Sequence, residues 1–186
     1  MASDEFVSRG GEKLKAAIKN FNIDVKNRIV LDVGSSTGGF VDCLLQNGVA
    51  KVYSVDTCYG ELAWTLRNDP RVIVMERTNI LHLESLPEKV DLITIDASWT
   101  KLKLILPIVS QFLIGGGSII ALLKPHYEAD KKDLVKGVLV KDLAIEVKER
   151  VIKEVEERGF KVEKEMESPI LGGGGNLEFL LLITNA

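Results

Sequence analysis

Three charged residues stand where apolar runs begin or end: Asp96 closes Ile93-Thr94-Ile95, Lys124 closes Ala121-Leu122-Leu123, and Glu178 precedes Phe179-Leu180-Leu181-Leu182-Ile183. A charge bordering buried hydrocarbon needs a partner. If the three runs are neighbouring strands about 4.8 Å apart, with the last one antiparallel, all three side chains meet at one sheet edge, with a lysine between two carboxylates. Strand ends of this kind are where functional groups collect, although the same trio could be an ion-pair cluster or three separate solvated charges.

A second constellation is Asp32-Val33-Gly34-Ser35-Ser36-Thr37-Gly38-Gly39-Phe40. Glycines after a strand let the backbone approach a ligand, and the helix that follows offers free N–H groups to an anion such as an amino-acid carboxylate. Three residues separate Gly34 from Gly38, so the pattern is not the GxGxxG of dinucleotide sites. Asp56, about 20 residues beyond Gly34 at the end of the next apolar run, suits the two ribose hydroxyls of an adenosine and would repel a 2′-phosphate. Asn79 could contact the adenine from the same edge, or cap the turn that starts at Ile80.

Positioning these groups requires strands over 29–33, 51–55, 72–75, 90–96 and 118–123, whose short apolar runs suit buried parallel strands. Helical spacing falls between them at 40–46, 60–66 and 102–113, and the longest helix is expected over 142–158, stopped by Gly159. Two further strands, 161–167 and 177–184, are joined by a stretch too short for a crossover helix and must be antiparallel. The expectation is an α/β fold: a doubly wound, mostly parallel seven-stranded sheet with an antiparallel last strand. One globular domain is expected, with residues 1–24 as a helical lead-in to a body at 25–186.

Composition narrows the classes. The longest apolar runs, 119–123 and 179–183, are five residues each, against about 18 for a membrane span. The first thirteen residues are polar and charged, unlike a signal peptide. Cys43 and Cys58 have no CxxC spacing, so neither a metal site nor a disulfide framework is expected, and a reducing cytoplasm fits. A formal net charge of −3 excludes a surface that is basic throughout, so any nucleic acid must be held by a local patch or another module.

Several linked segments resemble the TlyA family, known both as hemolysins and as ribosomal RNA methyltransferases. They are Val7-Ser8-Arg9-Gly10-Gly11-Glu12-Lys13-Leu14, the loop from Leu31 to Phe40, Asn68-Asp69-Pro70-Arg71-Val72, Glu76-Arg77-Thr78-Asn79 and Leu123-Lys124-Pro125. The resemblance implies a Rossmann-like FtsJ-type methyltransferase that uses S-adenosylmethionine to methylate a ribose 2′-hydroxyl of ribosomal RNA, at cytidine. It implies a catalytic set of Lys13, Asp96, Lys124 and Glu178. Lys13 is reached by the resemblance alone; by pattern it would be an exposed helix lysine, with Lys15 a rival. In that scheme Lys124, held by Asp96 and Glu178, orients and deprotonates the hydroxyl, and Lys13 adds positive potential. The cofactor set is Asp32, Gly34, Ser35, Ser36, Thr37, Gly38, Gly39, Phe40, Asp56, Asn79 and Asp96. Family members commonly carry an N-terminal S4-type RNA-binding domain, and the expectation is a chain that lacks it. Asp96-Ala97-Ser98-Trp99-Thr100 and Lys124-Pro125-His126-Tyr127-Glu128 depart from the usual Asp-Val-Ser-Phe-Ile and Lys-Pro-Gln-Phe-Glu.

Other residues have two readings each. His126 and Tyr127 could stack on a splayed-out nucleotide or pack beneath a loop. Trp99 is expected over the substrate pocket, Trp64 in the core or the cofactor wall, and His82 at the surface. The polar stretch 128–141, with Lys131, Lys132, Lys136 and Lys141, is either an RNA-facing lid or a solvated loop. Competing functions are a membrane-active hemolysin and a catalytically silent, cofactor-binding scaffold on RNA.

Overall fold

The computed structural model describes residues 5–186, so the first four residues of the expected lead-in lie outside it. Its seven strands are β1 (Ile29–Val33), β2 (Lys51–Val55), β3 (Val72–Met75), β4 (Val90–Ile95), β5 (Leu113–Leu123), β6 (Phe160–Glu167) and β7 (Phe179–Asn185). They form one sheet in the order β3-β2-β1-β4-β5-β7-β6, parallel from β3 to β5, with β7 antiparallel to both of its neighbours. This is the expected doubly wound architecture.

Alternating strand residues feed two cores, one on each face. Leu31, Val33, Ile93, Ile95, Ile119 and Ala121 belong to one, and Val30, Leu92, Ile120, Leu122 and Leu180 to the other. Burial on both faces is why these strands read as continuous apolar runs. The second core is covered by α1 (Gly10–Phe21) and α2 (Gly39–Gln46), the first by α4 (Leu102–Val109) and α6 (Lys141–Glu156). No helix among the described residues is long and apolar enough to cross a membrane.

α1 buries Leu14, Ala17 and Phe21 at helical spacing. It approaches the start of α2 so closely that a Cβ on Gly39 would lie 2.8 Å from Gly11 N and 3.1 Å from the Gly10 Cα. Glycines at this crossing let the first turn of α1 reach the edge where the parallel strands end.

Two expected helices are shorter than their spacing suggested. The 60–66 segment helps form a loop, leaving only α3 (Trp64–Arg67), because Gly60 takes φ +78° and its N–H is tied to Glu76 Oε1 at 2.9 Å. The 102–113 segment ends as α4 at Val109, followed by a single 3-10 turn, because Leu113 pairs with Val90 and opens β5. A register shift then separates that pairing from the one at Leu92 and Ser118. The longest helix runs Lys141–Glu156, and Gly159 follows at φ +83°. A one-turn helix, α5 (Pro125–Glu128), follows β5 directly.

Candidate active site

The strand order reverses between β1 and β4, and the crevice beyond their carboxyl ends is where such sheets bind ligands. Gly34, immediately after β1, has φ +83°, and a Cβ there would lie 2.7 Å from the backbone oxygen of Asp96. Only glycine lets the two strand ends approach this closely. The loop then turns into α2, and Ser36 is held at φ 46° by two contacts. Its N–H donates to Asp56 Oδ2 at 2.7 Å, and its hydroxyl to Glu61 Oε2 at 3.1 Å. Asp56 Oδ1 accepts from Cys58 N–H at 2.8 Å. A carboxylate offers about four acceptor positions, so Asp56 retains capacity for a diol.

Three cavities meet here. A cleft of ≈270 Å³ runs from Gly34 past Asp56 and Asn79 to Trp99. One of ≈240 Å³ lies between Ser8, Arg9, Lys13, the 34–37 loop and Gly39, and the largest, ≈750 Å³, opens between Lys124, His126, Tyr127 and Glu178. Asp96 lines all three.

Around Asp96 the charges pair in a pattern that corrects the expected lysine between two carboxylates. Lys124 Nζ meets Asp96 Oδ1 at 2.6 Å as an ion pair, out of line for a hydrogen bond, and donates to Ser98 Oγ at 3.3 Å. Glu178 is engaged by Lys13 instead, whose Nζ donates to its Oε2 at 2.5 Å. The register that pairs Leu123 with Phe179 brings Lys124 and Glu178 to the same edge, but α1 delivers a second cation that claims the glutamate. The site therefore holds two adjacent ion pairs. Lys13 is buried, contrary to its reading as an exposed helix lysine, because it neighbours Leu14 on the packed side of α1. Lys15 is directed elsewhere and pairs with the exposed Glu5 at 2.5 Å.

The remaining expected residues divide. Ser35, Ser36, Thr37, Gly39 and Phe40 line the ≈240 Å³ cavity. Gly38, at φ +102°, packs against Leu62 and Leu66. Asp32 lines none of the three cavities and is fully buried beneath the loop. There its Oδ1 accepts from the Thr94 hydroxyl at 2.5 Å, and its Oδ2 has no partner among the described residues. Burial pushes this carboxyl up to about 6. Asn79 combines both of its readings, since it lines the cleft while its Oδ1 accepts from Leu81 N–H at 3.0 Å as a cap.

Trp99, 83% exposed, and His126 both pack against Tyr127 as tilted rings, with centroids 4.9 and 4.2 Å away and interplanar angles of 46° and 43°. Burial, with the Lys124 and Lys13 charges, lowers the His126 pKa and favours a neutral imidazole. Trp64 corrects its expectation: α3 is too short to turn it inward, and it is 75% exposed. His82 is exposed, as expected. Sequence reasoning missed Ser8 and Arg9 in the ≈240 Å³ cavity, and Thr57, Cys58 and Glu61 in the cleft. Closeness to Asp56 in the chain was the available signal for the last three.

A model of the FtsJ-like methyltransferase family matches residues 6–184. The chain belongs to that family. Among its relatives is the YqxC protein of Bacillus subtilis, 45% identical over 95% of this chain and 64% of its own length. Another is the 16S/23S rRNA (cytidine-2′-O)-methyltransferase TlyA of Mycobacterium tuberculosis, 39% identical over 95% of this chain and 67% of its own length. A solved structure from Streptococcus thermophilus that carries the name hemolysin superposes with a TM-score of 0.93 at 39% identity, covering 97% of this chain and 67% of that one. This FtsJ-like chain thus spans about two thirds of the length of these relatives. The resemblance to TlyA seen in the motifs extends over nearly the whole chain.

Proposed function

We propose that the chain transfers the methyl group of S-adenosylmethionine to a ribose 2′-hydroxyl of ribosomal RNA, at cytidine, in the cytoplasm. The observation that carries this reading is the junction at Asp96. The cleft suited to a nucleoside and the larger cavity, whose lining includes Lys13 and Lys124, open onto the same carboxylate.

The residues present fit the cofactor. Asp56 would accept the ribose hydroxyls, Asn79 and Ile80 would border the adenine, and the Gly34–Gly39 turn with the start of α2 would receive the amino-acid carboxylate. When bound, the cofactor supplies a sulfonium methyl, an electrophile open to in-line attack by oxygen. Lys124, its position held by Asp96 and Ser98, orients the acceptor hydroxyl and, once its ammonium has released a proton to solvent, its neutral amine takes the hydroxyl proton as the oxygen attacks. Lys13, fixed by Glu178, adds positive potential beside the same oxygen. Tyr127, His126 and Trp99 offer ring faces to the nucleotide. The names of relatives support ribosomal RNA as the substrate class.

The test is transfer of a labelled methyl group to ribosomal subunits and to naked ribosomal RNA, followed by mapping of the modified nucleotide. A 2′-O-methylated cytidine is expected. Leakage of lipid vesicles without any methyl transfer would point to a membrane-active protein and overturn the reading.

A further inference from the structure

The largest cavity has two walls with little regular secondary structure. One is a strap over residues 129–140, which contributes Lys131, Leu134 and Gly137 to the lining. It has a single 3-10 turn, Lys131–Asp133, and one isolated bridge, Val135 to Val138, with Lys136 and Gly137 at positive φ between them. Val135 and Val140 face solvent, while Leu139 is buried. The other wall is Gly172-Gly173-Gly174-Gly175, which has no side chain with which to hold itself.

One amide joins them. Asn176 is 3% exposed; its Oδ1 accepts from Leu139 N–H at 2.9 Å, and its Nδ2 donates to Gly137 O at 3.0 Å and Gly173 O at 2.9 Å. Both donors and an acceptor lone pair are thus used, two on the strap and one on the glycine loop. Gly172 also lies close against Glu178, since a Cβ there would fall 2.0 Å from Glu178 Oε1.

We propose that Asn176 is a positioning residue for the RNA substrate, which acts by clamping the 129–140 strap to the glycine loop so that the acceptor cavity is walled before RNA arrives. Without the clamp the strap samples open positions, and substrate binding must restore the closed one. Asn176 touches neither Lys124 nor Asp96 through its hydrogen bonds, so its effect falls on substrate capture.

This inference rests on the RNA-methyltransferase reading, and its experiment separates the two. Steady-state transfer to ribosomal RNA is measured for the wild type, for Asn176→Ala, for a chain in which residues 132–137 are replaced by two glycines, and for the two changes combined. Asn176→Ala removes all three hydrogen bonds of the clamp and should raise KM for RNA by about tenfold or more. Its kcat, and its Kd for S-adenosylmethionine, should stay within about twofold of wild type. The shortened strap should do the same, and the double variant should add nothing further. A fall in kcat at unchanged KM, or effects that multiply in the double variant, would overturn the proposal. If Asn176→Ala does not fold, the shortened strap carries the test alone, and an unchanged KM there refutes it. If the wild type transfers no methyl to RNA, the functional reading fails by itself. Amide exchange at Leu139 then still reads the clamp: faster exchange in Asn176→Ala supports it and unchanged exchange overturns it.

Discussion

Lys13 Nζ lies 2.5 Å from Glu178 Oε2, and the two residues are 165 positions apart in the chain. The pair ties the first described helix to the start of the last strand, and both side chains are buried. Removing one partner would leave a buried charge unmatched, so Glu178→Ala should cost about 3 to 5 kcal/mol of stability. Glu178→Gln, which keeps an acceptor for the ammonium, should cost markedly less. Urea unfolding of the three proteins measures both, and equal stabilities would show that the pair contributes nothing to folding.

Lys124 lines the largest cavity and neither of the other two. Lys124→Ala should therefore lower methyl transfer by a factor of about 10² to 10⁴, the usual weight of a positioned acid–base group. Binding of S-adenosylmethionine, followed by calorimetry, should be preserved. Unchanged transfer would remove Lys124 from the mechanism.

Asp32 supplies a pH dependence of known sign. Its carboxyl is raised from 3.8 to about 6 in the fold, mainly by burial, so the folded state holds a proton that the unfolded state has released across that window. Stability from this group is full below about pH 4 and is lost as pH rises through about 6, an effect on the order of 3 kcal/mol. Asp32→Asn should flatten that decline in urea titrations run between pH 4 and 7. A slope identical to wild type would contradict the assignment.

The two cysteines should differ sharply towards a thiol reagent. Cys43 is buried and pushed up to about 12, mainly by that burial, and should react only after unfolding. Cys58 is exposed in the cleft, where the charges of Asp56 and then Glu61 raise its pKa and slow it at neutral pH. Alkylation should modify one thiol in the native protein. Asp56→Asn should speed it, and S-adenosylmethionine should suppress it. Absence of protection would argue against cofactor binding in that cleft.

Much of the site was legible because burial on both faces of a parallel strand leaves a contiguous apolar run, and a polar residue at the end of such a run is conspicuous. Asp96, Lys124 and Glu178 were visible for that reason, as were the Gly34 turn and Asp56. The loop at 57–63 was not, because tertiary ties to Glu76 overrode its helical spacing. Trp64 was misread with it: a periodic pattern assigns a buried face only if the helix exists.

Sequence by itself determined the strand runs, the turn where they meet a ligand, and, through linked motifs, the family. It could not decide which charge pairs with which. Local spacing places a side chain on a face of its own element, whereas ion pairing depends on distances between elements remote in the chain. The close glycine crossing of α1 and α2 carries Lys13 to Glu178 and leaves Lys124 to Asp96. That division into two pairs, in place of one lysine between two carboxylates, was settled only when the chain closed on itself.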